Sequence, residues 1–176
     1  MKTYHIFLAS SLRDGLEDDR VAIGNLVRII NDEIEQCDMT ISLFKCEYSD
    51  DACNGIPKQE EYDRNIPPSD LFFAFFNTLK GAFTINEFNI AKKCRKQAGK
   101  PQIMVGFKCK ESLKDFKAEC EAENIQTFDY DEQSQMKWAF LQKVLKDLGQ
   151  LDLLKVDQGW VLLGEKRLWR ENKTML

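Results

Sequence analysis

The sequence predicts an α/β domain built on a five-stranded, all-parallel, doubly wound sheet in the order 2-1-3-4-5, with a small C-terminal hairpin. Three observations carry this. Segments rich in β-branched and aromatic residues alternate with segments whose apolar residues recur at helical spacing, the pattern of a parallel sheet with crossover helices. Leu71-Phe72-Phe73-Ala74-Phe75-Phe76 is apolar at every position, which fits a central strand covered on both faces. And 176 residues, 43% of them hydrophobic, are enough to build one core without disulfides. The strand order is the one expected of this number of alternating units. The α/β unit is assigned to residues 1–150 and the extension to 151–176.

Tyr4-His5-Ile6-Phe7-Leu8-Ala9 reads as a buried first strand ending at Ser10-Ser11, with His5 as a satisfied core residue. From Leu16 to about Cys37, Val21, Ile23, Leu26, Val27, Ile30 and Ile34 keep helical spacing. Met39 to Cys46 alternates in part and reads as the second strand. Glu47 to Pro68 is polar, holds Asn54-Gly55 and three prolines, and reads as a long connection with one helical turn near Gln59 to Arg64. After the apolar third strand, Thr84 to Gln97 reads as a helix. Thr84 is its expected N-cap, Glu87 stands in the capping-box position, and Gly99-Lys100-Pro101 stops it. Gln102 to Phe107 is a strand, Ser112 to Asn124 a helix, Ile125 to Phe128 a short strand and Gln133 to Leu148 an amphipathic helix. Leu153 to Val156 and Trp160 to Leu163 flank Asp157-Gln158-Gly159 as a hairpin.

Composition narrows the function. Twenty-five Lys and Arg against 29 Asp and Glu give a net charge of −4, which argues against a general nucleic-acid binder. Lys92-Lys93-Cys94-Arg95-Lys96 is a local basic run, or a solvated helix face. The six cysteines (Cys37, Cys46, Cys53, Cys94, Cys109 and Cys120) form no C-x-x-C pair, and His5 is the sole histidine. No metal site is therefore expected, and the cysteines read as reduced thiols of a cytoplasmic protein. The chain runs from Met1 straight into strand pattern, so no signal peptide is expected. No apolar run reaches bilayer length, so no membrane role is expected either.

In open α/β sheets, ligands bind beyond the carboxyl ends of the strands, where the strand order reverses. Three segments end there: Ser10, Ser11 and Arg13 after the first strand; Glu47, Tyr48 and Asp50 after the second; Asn77 to Glu87 after the third. Glu87 lies in the first turn of its helix, where the dipole favours a carboxylate. It is either a cap or a chemical group. Ser10 and Ser11 either hold a phosphate or ribose or simply turn the chain into a helix. Arg13 either meets a phosphate or pairs with Asp14 in solvent. Phe83 either stacks on a ring or fills the core. There is no G-x-G-x-x-G, no P-loop lysine and no hydrolase triad motif.

The opening Tyr4-His5-Ile6-Phe7-Leu8-Ala9-Ser10-Ser11-Leu12, with Asp19-Arg20 beyond it, resembles bacterial TIR-like domains, which open with a strand, a "FLASS" turn and an acidic-Arg helix start. Ser69 to Phe76, then Gly81-Ala82-Phe83-Thr84-Ile85-Asn86-Glu87-Phe88 and Ala91, resemble the strand and helix that carry the family's glutamate. Gly99-Lys100-Pro101 is similar to its approach to the next strand. Where many TIR domains read Trp-Cys-x-x-Glu, this chain has Phe83 and Thr84. The arrangement G-x-x-T-x-x-E-x-x-x-A…G-K-P also resembles nucleoside 2-deoxyribosyltransferases, and both groups share a flavodoxin-like sheet. The resemblance implies an NAD glycohydrolase of bacterial defence or stress signalling, with Glu87 catalytic. Ser10, Ser11 and Arg13 would hold ribose or phosphate, Phe83 would wall the nicotinamide side, Thr84 would be a further substrate-binding residue, and Asp70 would support the strand end or orient a group. NAD would be substrate, with no cofactor, and copies of the chain would meet through TIR–TIR contacts. The alternatives are a scaffold without chemistry and a deoxyribosyltransferase-like enzyme.

Overall fold

A computed structural model describes residues 1–45, 63–109 and 111–170. The elements of its main body are β1 (Lys2–Ser10), α1 (Glu17–Ile34), β2 (Met39–Lys45), β3 (Leu71–Phe76), α2 (Ala82–Ala98), β4 (Gln102–Phe107), α3 (Lys114–Ala122), β5 (Gln126–Asp129) and α4 (Gln133–Leu148). The five strands form one sheet in the order β2-β1-β3-β4-β5, every pairing parallel. This is the doubly wound, flavodoxin-like arrangement expected, with the reversal of strand order between β1 and β3.

Alternation along the strands sorts the core into two layers. Tyr4, Ile6, Leu8, Leu71, Phe73 and Phe75 meet α1 and α4 on one face. Phe7, Ala9, Phe72, Ala74 and Phe76 meet Phe88 and Ala91 of α2 and Phe116 and Cys120 of α3 on the other. All six residues of β3 are buried. His5 departs from expectation: its side chain is exposed. It sits near the amino end of β1, where its backbone N–H donates to Asp70 Oδ2 at 2.9 Å and its carbonyl accepts the Asp70 N–H at 2.8 Å.

The C-terminal extension is larger than a hairpin. It is a three-stranded antiparallel sheet, β6 (Leu154–Asp157), β7 (Trp160–Leu163) and β8 (Lys166–Arg170), in sequential order. Lys166 to Arg170, with three of its five residues charged, gives no strand signal in sequence. The sheet shares the main core, because Val161 and Leu163 are fully buried in the layer that holds α1 and α4. Lys166 bridges to Asp32 and Glu33 of α1.

The basic run on α2 is a helix face. Lys92 pairs with Glu123 at 3.0 Å, and Arg95 donates to the Asn124 carbonyl. No helix among the described residues is long and apolar enough to cross a membrane.

Candidate active site

The largest correction to the sequence reading falls at the start of α2. Gly81, not Thr84, is the N-cap. The Ile85 N–H donates to the Gly81 carbonyl at 2.9 Å and closes the first turn. Thr84 and Glu87 therefore stand inside the helix, three residues apart on one face, and no Thr84–Glu87 capping box exists. The cause is steric. A Cβ on residue 81 would lie 2.9 Å from Ser11 Cβ and 3.0 Å from Ser11 Oγ, so the chain turns into the helix at a glycine pressed against Ser11, just past the end of β1. The same point is 3.5 Å from Thr84 Oγ1. Ser11, Gly81 and Thr84 thus form one contact at the carboxyl edge. Thr84 and Glu87 are each only 3% exposed.

Buried charge concentrates here. Among the described residues, the buried polar or charged side chains are Asp14, Asp19, Arg20, Ser69, Thr84 and Glu87, and all but Ser69 lie at this edge. Buried charges are costly unless partnered, and these are partnered. Arg20 Nη1 donates to Ser10 Oγ at 3.0 Å. Asp19 accepts from Lys108 Nζ at 2.9 Å, Tyr130 OH at 3.0 Å and Gln133 Nε2 at 3.3 Å, tying α1 to the ends of β4 and β5. Burial, with Asp19 beside it, drives the Tyr130 phenol well above its ordinary value. Asp14 accepts from the loop that follows β3.

Asp14, Asp19 and Arg20 carried no weight as site residues in the sequence reading. For Asp19 and Arg20 a signal was present. Leu16, Ile23, Leu26, Val27 and Ile30 define the inner stripe of α1, and positions 19 and 20 fall in phase with it. Asp14 had no such signal. It is buried, where an ordinary solvated pair with Arg13 was the sequence alternative, and Arg13 is exposed.

The remaining predicted residues divide. Ser10 and Ser11 are half-buried at the edge. Phe83 is 59% exposed, and Leu79 is also exposed, so neither fills the core. Asp70 is not brought to the site. It precedes β3, so it lies at the amino end of the sheet, about 17 Å of strand from the edge. There it accepts the His5 N–H and faces Lys100 Nζ at 3.6 Å. Glu47, Tyr48 and Asp50, and most of the expected turn at Gln59 to Arg64, lie outside the described residues. No group of three His, Cys, Asp or Glu able to hold a metal occurs among the described residues.

The fold and this edge define a flavodoxin-like α/β protein with a buried glutamate at the switch point of its sheet. No family model matches the chain, and no curated protein matches it. Among solved structures it is similar to the CMP N-glycosidase BcmB of Clostridium botulinum. That match has 20% identity and a TM-score of 0.51, over 82% of this chain and 98% of that one. A streptococcal redox sensor evolved from two-component response regulators matches at 13% identity and a TM-score of 0.42, over 93% of this chain and 67% of that one. At 20% identity the likeness to the first of these shows a distant relation of fold.

Proposed function

We propose that the protein hydrolyses the N-glycosidic bond of a nucleotide, with Glu87 as the catalytic carboxylate. The observation that carries this is the placement of Glu87: buried on α2, one turn beyond Thr84, where the opening of that helix is pressed against Ser11 at the carboxyl edge. A helix that opens at a glycine, with no side-chain cap from that residue, suits an anion at its first-turn N–H groups, and the Ser11 and Thr84 hydroxyls flank the opening. A substrate phosphate held there sets the sugar beside Glu87. Cleaving the bond builds positive charge on the sugar ring, which an adjacent carboxylate stabilises while it orients the ring hydroxyls.

Two substrate classes follow from two supports. The TIR-like motifs favour NAD, whose nicotinamide leaves as a neutral base, so that one carboxylate suffices. The fold relation to a CMP N-glycosidase favours a nucleoside monophosphate. A pyrimidine leaves as an anion unless it is protonated, so this substrate needs a proton donor at the base as well. The test is base release from NAD, CMP and the corresponding deoxynucleotide, followed by chromatography with concentrated protein, with and without a crowding agent. Release that is lost in Glu87→Gln supports the reading. Exchange of bases between deoxynucleosides indicates a transferase instead, and no release from any substrate indicates a scaffold.

A further inference from the structure

We infer that Asp14 is a positioning residue that locks the two halves of the candidate site together, an inference that rests on the N-glycosidase reading. The backbone ladder between β1 and β3 ends at the pair Ser10–Phe75. Past that pair the two chains part, one toward Ser11 and α1, the other toward Gly81 and α2. Asp14 spans the gap. Its carboxylate accepts the Asn77 N–H at 2.8 Å, the Thr78 N–H at 2.9 Å and the Thr78 hydroxyl at 2.8 Å. The Leu79 N–H reaches both oxygens, at 3.1 and 3.2 Å. In return Asn77 Nδ2 donates to the Asp14 carbonyl at 3.0 Å.

Three consecutive amides converging on one carboxylate form a concave anion nest, here filled by the chain itself. The side chain is 5% exposed although Thr78 and Leu79 lie on the surface, so a buried charge pins an exposed loop. The position of the link gives it a consequence. Asp14 is three residues from Ser11, and the loop it holds ends two residues before Gly81, the residue that touches Ser11. Asp14 thus fixes where α2 begins relative to Ser10 and Ser11, and with it where Glu87 stands. It touches no reacting atom in this arrangement. Its loss should slow turnover rather than weaken substrate capture.

Asp14→Asn keeps the shape but leaves one carbonyl for four donors. Thr78→Val removes a single hydroxyl donor and guards against a fold lost in the first variant. Both are to be compared with wild type well below their melting temperatures, by hydrogen exchange of residues 77–87 and by steady-state kinetics of base release. The expected result is faster exchange confined to 77–87, by tenfold or more in Asp14→Asn and less in Thr78→Val. It is accompanied by a tenfold or greater fall in kcat with KM changed less than threefold. Unchanged local exchange overturns the inference. So does faster exchange with wild-type kcat, or a loss carried by KM alone. If wild type releases no base from any nucleotide, the N-glycosidase reading fails by itself. The lock is then decided by exchange at Thr84 to Glu87, where wild-type rates in Asp14→Asn overturn it.

Discussion

Replacing Gly81 by alanine tests the junction on which the site depends. The added methyl would sit 2.9 Å from Ser11 Cβ and 3.0 Å from Ser11 Oγ. Relaxed carbon contacts are about 3.5–4.0 Å, so the two segments must separate by roughly 0.5–1 Å. Overpacking of this kind costs about 1–3 kcal/mol. Ser11 is half-buried on a turn and can retreat, which places the cost near the lower half of that range, about 1–2 kcal/mol. Gly81 has φ −57°, so alanine adds no left-handed strain there. For a chain of this size, 1–2 kcal/mol lowers Tm by about 2–8 °C. The effect on catalysis should be larger. A shift approaching 1 Å at a reacting geometry costs up to about a hundredfold in rate, so kcat/KM for base release should fall about ten- to a hundredfold. Gly149→Ala is the control. It ends α4 at φ +70° with nothing within 4 Å of the added methyl, so it is destabilised by backbone strain of about 1–2 kcal/mol while the site is untouched. Thermal melts and base-release kinetics on both variants decide the matter. If Gly81→Ala keeps wild-type kcat/KM, or if both variants lose activity in proportion to stability, the contact between Ser11 and α2 is not what shapes the site.

The buried Tyr130 phenol, raised by burial and by Asp19, predicts loss of stability in alkali. Its contribution is full below the ordinary tyrosine value near 10 and falls as pH rises above it, by about 1.4 kcal/mol per pH unit. Urea midpoints from pH 9 to 11 should show a shallower alkaline decline in Tyr130→Phe than in wild type, and equal slopes would contradict the assignment. The cysteines should label in order. The Ser112 hydroxyl holds the Cys109 thiol below its usual range, whereas burial pushes Cys120 up to about 12. With limiting iodoacetamide at pH 8, peptide mapping should find Cys109 alkylated well before Cys120, and comparable rates would count against both environments.

The sheet was legible because its grammar is local. Each strand of the main body announces itself by composition, and each crossover helix by period. The apolar run from Leu71 to Phe76 alone placed β3 in the centre. What escaped the sequence was tertiary. Nothing in Lys166 to Arg170 marks a strand, because its pairing partner β7 and its bridge to α1 create it. Thr84 looks like an N-cap until Ser11 is seen against Gly81, a contact between segments 70 residues apart in sequence. Asp70 looked like a site residue because it stands within the motif that carries Glu87, yet it precedes β3 and so lies at the amino end of the sheet, where it accepts the His5 N–H. Asp14 lies in a polar stretch, and only the loop that wraps its carboxylate distinguishes it from a surface charge. Glu87 was singled out by its motif, and the structure replaced its expected capping role with burial at the edge of the sheet.

The central claim is that the Glu87 carboxylate promotes cleavage of a nucleotide's N-glycosidic bond. Its most direct test is the rate of free base released from NAD and from CMP by wild type and by Glu87→Gln, with both proteins shown to be equally folded by their melting curves. The account predicts release by wild type and a fall of at least about a hundredfold in the folded Gln variant, where shape is kept and charge is lost. Base release by Glu87→Gln at the wild-type rate would contradict it.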